Sequence, residues 1–287
     1  MTPSDLCYTP AAELARLYRA RKTSPLEVME AVLARVDSVN PALNACVTVA
    51  RESALAEARR ATASLRRAKA LPPLHGVPVS IKDLTPTKGI RTTWGSKIYE
   101  HHVPKEDALV VERLKAAGAI VFAKTNTPEF GAGGNTFNAV FGATRNPWDP
   151  ALTCGGSSGG AGVALATGMG PIAQGSDLGG SLRTPAAFCG VVGFRTTPGL
   201  VPQVPSDLAW DTLSVTGPMA RTVGDIALML AAIAGPDARA PLSYEVDALR
   251  WLLIGVPTNI WLDVAVLIAA ATAGVIVSSA LLPRLAK

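Results

Sequence analysis

Residues 107–123 read DALVVERLKAAGAIVFA. Asp107 to Ala117 reads as a helix, Gly118 is placed to end it, and Ala119 to Ala123 reads as a buried strand. Upstream, Val77 to Ile81 is a short β-branched run that reads as a second strand. Strand–helix–strand alternation of this kind marks an α/β fold with a covered sheet.

The chain before this unit is helical in pattern. Thr9 followed by Pro10 looks like an N-cap with proline at the first helical position. Ser24-Pro25-Leu26-Glu27 is a capping box with the same proline placement. Val28, Met29, Val32, Leu33 and Val36 continue it at helical spacing to about Val39, where Asn40-Pro41 is expected to stop it. An Ala/Arg-rich helix is expected from about Arg51 to Lys69, ended by Leu71-Pro72-Pro73. After the α/β unit, residues 126–200 are rich in Gly, Ser, Thr and Asn and read as loops, the usual setting of a site. A helix is expected at Thr222–Ala234 and a strand at Leu252–Val256. The segment Val264–Leu282 carries no charge.

Composition excludes several classes. Hydrophobic residues make up 48% and charged residues 17%, so global disorder is excluded. Aromatic residues are only 5%, too few for a surface that stacks nucleic-acid bases. The net charge of +5 comes largely from Arg16–Lys22 and Arg59–Lys69, which read as solvated helix faces. Cys7, Cys46, Cys154 and Cys189 form no C-x-x-C pair and no Cys/His cluster, so no metal, cofactor or disulfide is implied and a reducing cytoplasm fits. The start, MTPSDLCYTP, lacks the basic and apolar regions of a secretory signal.

Two glycine-serine blocks carry the chemistry: Cys154-Gly155-Gly156-Ser157-Ser158-Gly159-Gly160-Ala161-Gly162 and Ser176-Asp177-Leu178-Gly179-Gly180-Ser181-Leu182-Arg183. A phosphate loop would need a Gly-Lys-Ser/Thr ending, which is missing. Gly156-Ser157-Ser158-Gly159-Gly160 satisfies the G-x-S-x-G elbow, but that scheme needs a histidine after the serine, and His75, His101 and His102 all precede it. Glycine-rich structural turns remain open for the first block taken alone. The remaining reading activates a serine with a neutral lysine whose pKa burial depresses. Lys82, closing the apolar run Val77-Pro78-Val79-Ser80-Ile81, is the candidate.

Together with Gly76-Val77-Pro78-Val79-Ser80-Ile81-Lys82-Asp83, the blocks Gly155–Gly160 and Asp177–Pro185 resemble the three catalytic motifs of the amidase signature family, in the family's order. Supporting stretches resemble it too: Lys124-Thr125-Asn126-Thr127-Pro128-Glu129-Phe130, Asn146-Pro147-Trp148-Asp149 and Phe188-Cys189-Gly190-Val191-Val192-Gly193-Phe194. The resemblance covers about residues 10–260. It implies a central mixed β-sheet covered by helices on both faces, with N-terminal helices at about 10–69 and a catalytic core at about 74–260 in one domain, 1–260. It implies Ser181 as nucleophile, Ser157 as a bridge held in cis geometry, and Lys82 as the base that takes the proton through Ser157. Leu178, Gly179, Gly180 and Ser181 would offer backbone N–H groups to an oxyanion. Ser158 is expected to hydrogen-bond Lys82, and Asp177 and Arg183 to pin the nucleophile loop. Asp83 is expected to anchor its own loop.

The implied substrate is a small carboxylic amide, with no nucleic-acid partner. Homodimer formation is compatible with the resemblance. An alternative within the family is the glutaminase subunit of a tRNA-dependent amidotransferase, although threonine and glutamine are expected there at the positions of Leu178 and Thr184. A third reading is an inactive shortened member, since the resemblance stops after Asp263. For the atypical apolar tail, 261–287, three readings stand: a shifted reading frame, an apolar helix packed on the core, and a membrane contact through 264–282.

Overall fold

The computed structural model describes all residues except 66, 68, 69, 207, 248–258, 286 and 287. Its centre is a six-stranded mixed sheet ordered β1-β3-β2-β6-β8-β7. The strands are β1 (Cys46–Val49), β2 (Pro78–Lys82), β3 (Ile120–Thr125), β6 (Ile172–Asp177), β7 (Val192–Gly193) and β8 (Val215–Ala220). A separate two-stranded ribbon pairs β4 (Phe137–Asn138) with β5 (Gly142–Ala143). The central strand β2 runs parallel to β3 and β6, and the outer pairings β1–β3, β6–β8 and β7–β8 are antiparallel. Every residue of β2 and β3 is buried, as strands covered on both faces must be.

The N-terminal helices correct the sequence reading in two places. Thr9 does not cap a helix. It ends α1 (Pro3–Tyr8), which Thr2 and Asp5 open with a capping box, and α2 (Ala11–Arg19) starts without a side-chain cap. The helix begun by Ser24, α3, follows the expected capping box but continues through Pro41 to Leu43. Proline lacks only its own N–H, and Asn40 closes the helix end from its side chain, where Oδ1 accepts from the N–H groups of Ala45 and Cys46. The Ala/Arg-rich helix is α4 (Arg51–Ser64).

The expected helix and strand of residues 107–123 are α5 (Leu109–Ala116) and β3, joined at Gly118. The loop-rich reading of 126–200 missed α6 (Gly159–Ala166), β6 and α7 (Arg183–Cys189). Downstream, α8 (Val223–Ile233) is capped by Thr222. The expected strand Leu252–Val256 lies outside the described residues. The tail is α9 (Ile260–Leu285), with Trp261, Ile268 and Val275 exposed. Among the described residues, no helix is long and apolar enough to cross a membrane.

Helix α6 explains why glycine follows the two serines of the first block. A Cβ at Gly160 would stand 2.4 Å from the backbone nitrogen of Asn126 and 2.7 Å from the carbonyl oxygen of Ala45. Neither neighbour is a side chain that could move aside. Gly160→Ala is therefore expected to cost about 3 kcal/mol and to lower the thermal midpoint by about 10 °C. Scanning calorimetry of the variant checks this; an unchanged midpoint would show that the helix start can be displaced freely.

Candidate active site

Lys82 closes β2 with no exposed surface. Its backbone N–H donates to Gln174 Oε1 at 3.2 Å, fixing the strand end against β6. Its Nζ lies 2.7 Å from Ser157 Oγ and 3.0 Å from Ser176 Oγ. Burial pushes its pKa down to about 7, against a smaller opposing pull from Asp177. A neutral amine is thereby accessible near neutral pH, the condition a lysine base requires.

Ser157 and Ser158 stand at the start of α6, and the Gly156–Ser157 peptide bond is cis. The expected Ser158–Lys82 hydrogen bond is absent among the described residues. Ser158 Oγ donates to the Ser176 carbonyl at 3.1 Å and accepts from the Ser176 N–H at 3.3 Å, which ties the first serine block to β6. The second acceptor for Lys82 is Ser176, a residue the sequence did not single out. The Ser158 N–H donates to the Ser181 carbonyl at 3.2 Å, so the two serine blocks are joined backbone to backbone. No hydrogen bond among the described residues joins the hydroxyls of Ser157 and Ser181. Relay bonds of this kind are often long without substrate and shorten when it binds.

The loop from Asp177 to Ser181 is held by one buried carboxylate. Asp177 Oδ1 accepts from the Gly180 N–H at 2.8 Å and Oδ2 from the Leu182 N–H at 3.1 Å. Arg183 bonds both oxygens, at 3.0 and 3.1 Å. Arg195, which the sequence reading passed over, adds a bond to Oδ1 at 2.9 Å and another to the Asp177 carbonyl. Gly180 has φ +119°, a backbone shape that side chains resist, and this turns its N–H toward the carboxylate. Its N–H is therefore engaged within the loop, whereas those of Leu178 and Gly179 carry no hydrogen bond among the described residues. On the far side of Lys82, Asp83 accepts from the Thr93 N–H and hydroxyl, as a loop anchor does.

Burial alone would raise the Asp177 carboxyl, but Arg183 and the two N–H donors outweigh it and hold its pKa well below the ordinary value. A depressed carboxylate contributes stability that is complete above its unfolded pKa of 3.8 and is lost as pH falls through the folded value. Asp177→Asn is expected to cost about 2 kcal/mol at neutral pH, less than a fully buried pair, because the guanidinium groups keep contact with water. The difference from the parent should shrink as pH drops below 4. Chemical denaturation at pH 7 and pH 3 tests this; an equal gap at both values would remove the carboxylate from the account.

A buried lysine amine between two serine hydroxyls, with a third serine on the neighbouring glycine loop, is the kind of setting a serine–lysine scheme needs. A family model described as Amidase matches residues 27–259. An acylamidase of Rhodococcus erythropolis is 45% identical over 245 residues, covering 85% of this chain and 51% of that protein. A glutamyl-tRNA(Gln) amidotransferase subunit of Carboxydothermus hydrogenoformans is 43% identical over 269 residues, covering 90% of this chain and 56% of that protein. Among solved structures, a bacterial aryl acylamidase of the amidase signature enzymes aligns with TM-score 0.78 at 33% identity, over 82% of this chain and 49% of that one. The peptide amidase of Stenotrophomonas maltophilia aligns with TM-score 0.75 at 34% identity, over 82% and 50%. This chain belongs to the amidase signature family. It spans about half the length of the curated relatives it matches.

Proposed function

We propose that this chain hydrolyses a carboxylic amide to an acid and an amine or ammonia through an acyl-enzyme on Ser181, within a single domain over residues 1–260. The observation that carries the reading is the fully buried Lys82 amine 2.7 Å from the Ser157 hydroxyl. Neutral Lys82 takes the Ser157 proton while Ser157 takes that of Ser181, and Ser181 Oγ bonds to the amide carbon. The tetrahedral oxyanion is met by the N–H groups of Leu178 and Gly179, with Ser181 N–H and, if it leaves Asp177, that of Gly180. The relay then returns its proton to the departing nitrogen as the C–N bond breaks. Water, deprotonated by the same route, cleaves the ester and restores Ser181. Ser176 holds one N–H of Lys82, which leaves the lone pair free for Ser157. The setting is cytoplasmic, a reading supported by four cysteines that are all free and buried.

A hydrolysis screen over aliphatic, aryl and amino-acid amides, with Lys82→Ala as control, tests the reading. Turnover that survives in the control would remove the lysine from the chemistry. Similarity to the amidotransferase relatives favours a second reading, a glutaminase that passes ammonia to a partner. Glutaminase activity that rises when a partner protein is added would support it, while Leu178 and Thr184 speak against it.

A further inference from the structure

A second lysine is as deeply buried as Lys82 and has no part in the proton relay. Lys124, in β3, has no exposed surface and pairs in register with Ile81, the residue before Lys82. Its Nζ donates to the Thr85 carbonyl at 2.5 Å and to Thr87 Oγ1 at 2.9 Å. Both acceptors lie in the turn that leaves β2, directly after Lys82. Thr87 Oγ1 also donates to the Thr85 carbonyl at 3.1 Å, so the amine, the carbonyl and the hydroxyl close a ring.

That turn is coupled back to Lys82. Thr85 Oγ1 donates to Gln174 Oε1 at 3.0 Å, and the same oxygen accepts from the Lys82 backbone N–H at 3.2 Å. Gln174 is itself held by its Nε2, which donates to the Gly175 carbonyl at 2.9 Å. The Thr85 N–H donates to the Lys82 carbonyl at 3.0 Å. Lys82 is therefore gripped at both its N–H and its carbonyl by Thr85 and Gln174, and Thr85 is gripped by Lys124. Burying an amine to make two hydrogen bonds carries a desolvation cost that an apolar side chain would avoid. Burial holds Lys124 down to about 7, with Asp83 and Asp107 opposing and Lys115 adding to the shift.

We propose that Lys124 is a positioning residue for Lys82, setting the place of its amine through Thr85 and Gln174. The inference rests on the proposed role of Lys82 as base, since only a base must meet Ser157 at one fixed distance. Displacing a reacting group by about 1 Å costs on the order of 10–100-fold in rate. Loosening the turn would also admit water to Lys82 and let its pKa rise toward the ordinary lysine value.

The test compares the parent with Lys124→Met, Thr85→Val and the double variant. Two quantities are read: the rate at which a fluorophosphonate labels Ser181 as a function of pH, and the titration of Lys82 followed by NMR of its labelled Cε. Lys124→Met is expected to label at least about 10-fold more slowly, with both midpoints moved to higher pH and a cooperative melt retained. Thr85→Val, which removes only the hydroxyl link to Gln174, should move both in the same direction. The double variant should be no slower than Lys124→Met alone, because one chain of contacts is cut twice. Labelling within twofold of the parent with unmoved midpoints in a folded Lys124→Met overturns the inference. Should that variant fail to fold, unmoved values in Thr85→Val do the same. Failure of the underlying reading looks different: Lys82→Ala would then label as fast as the parent. The Lys82 titration judges the positioning role even in a protein that does not label.

Discussion

Ser181→Ala is expected to abolish fluorophosphonate labelling and to lower amide hydrolysis by at least about 1,000-fold while leaving the fold intact. The size follows from the proposed role of Ser181 Oγ as the one atom to bond covalently to substrate; binding and oxyanion stabilisation would survive, as in other serine hydrolases that lose their nucleophile. Stability should barely change, because the contacts that hold residue 181 run through its carbonyl, which accepts from the Ser158 N–H, and its side chain makes no hydrogen bond among the described residues. Active-site labelling and thermal melting on the same sample separate the two effects. Full labelling of the variant would move the nucleophile elsewhere, with Ser157 the first place to look.

Lys82→Met should be equally inactive and yet more stable than the parent. In the folded chain the Lys82 amine titrates near 7, whereas its ordinary value is 10.5. A lysine with a lowered folded pKa costs stability, because the unfolded chain binds its proton more readily. The cost is full below about pH 7, where the folded amine must also carry charge, and it fades as pH rises toward 10.5. Methionine fills the same volume without that cost, so the melting temperature of the variant should exceed that of the parent most at low pH and converge toward it in alkali. The same titration predicts that the parent's labelling rate climbs with pH and levels off above about 7. A rate independent of pH from 5 to 9 would sink the assignment of Lys82 as base.

The parts of the site that sequence made legible are those with a local signature. Ser157 and Ser181 sit in glycine blocks, and Lys82 ends an apolar run, so a charge in an unexpected place marks it. Ser176, the second acceptor for Lys82, opens the second glycine-serine block, but nothing local marks its contact with the lysine. It is a strand residue whose hydroxyl matters only because β6 lies beside β2, a pairing that joins residues far apart in the chain. Arg195 is hidden for the same reason: its target, Asp177, ends β6 eighteen residues earlier, with α7 lying between them in the chain. Elements were missed where local propensity opposes the structure adopted. The helix α6 contains three glycines and is formed because it packs against the sheet, not because its residues favour helix. Strand β8 holds both Gly217 and Pro218, residues that strands disfavour, yet it pairs along its whole length with β6.

The placement of β2 between β3 and β6 has a consequence for how the molecule comes together. Its partner on one side follows after some forty residues, and its partner on the other after some ninety. Closing the larger loop is the slower and entropically costlier event. The contact between the amine at position 82 and the hydroxyls at 157 and 176 cannot form before that closure. Recovery of reactivity after dilution from denaturant should therefore trail the recovery of helical ellipticity, making the labelling of Ser181 a clock for that long-range closure.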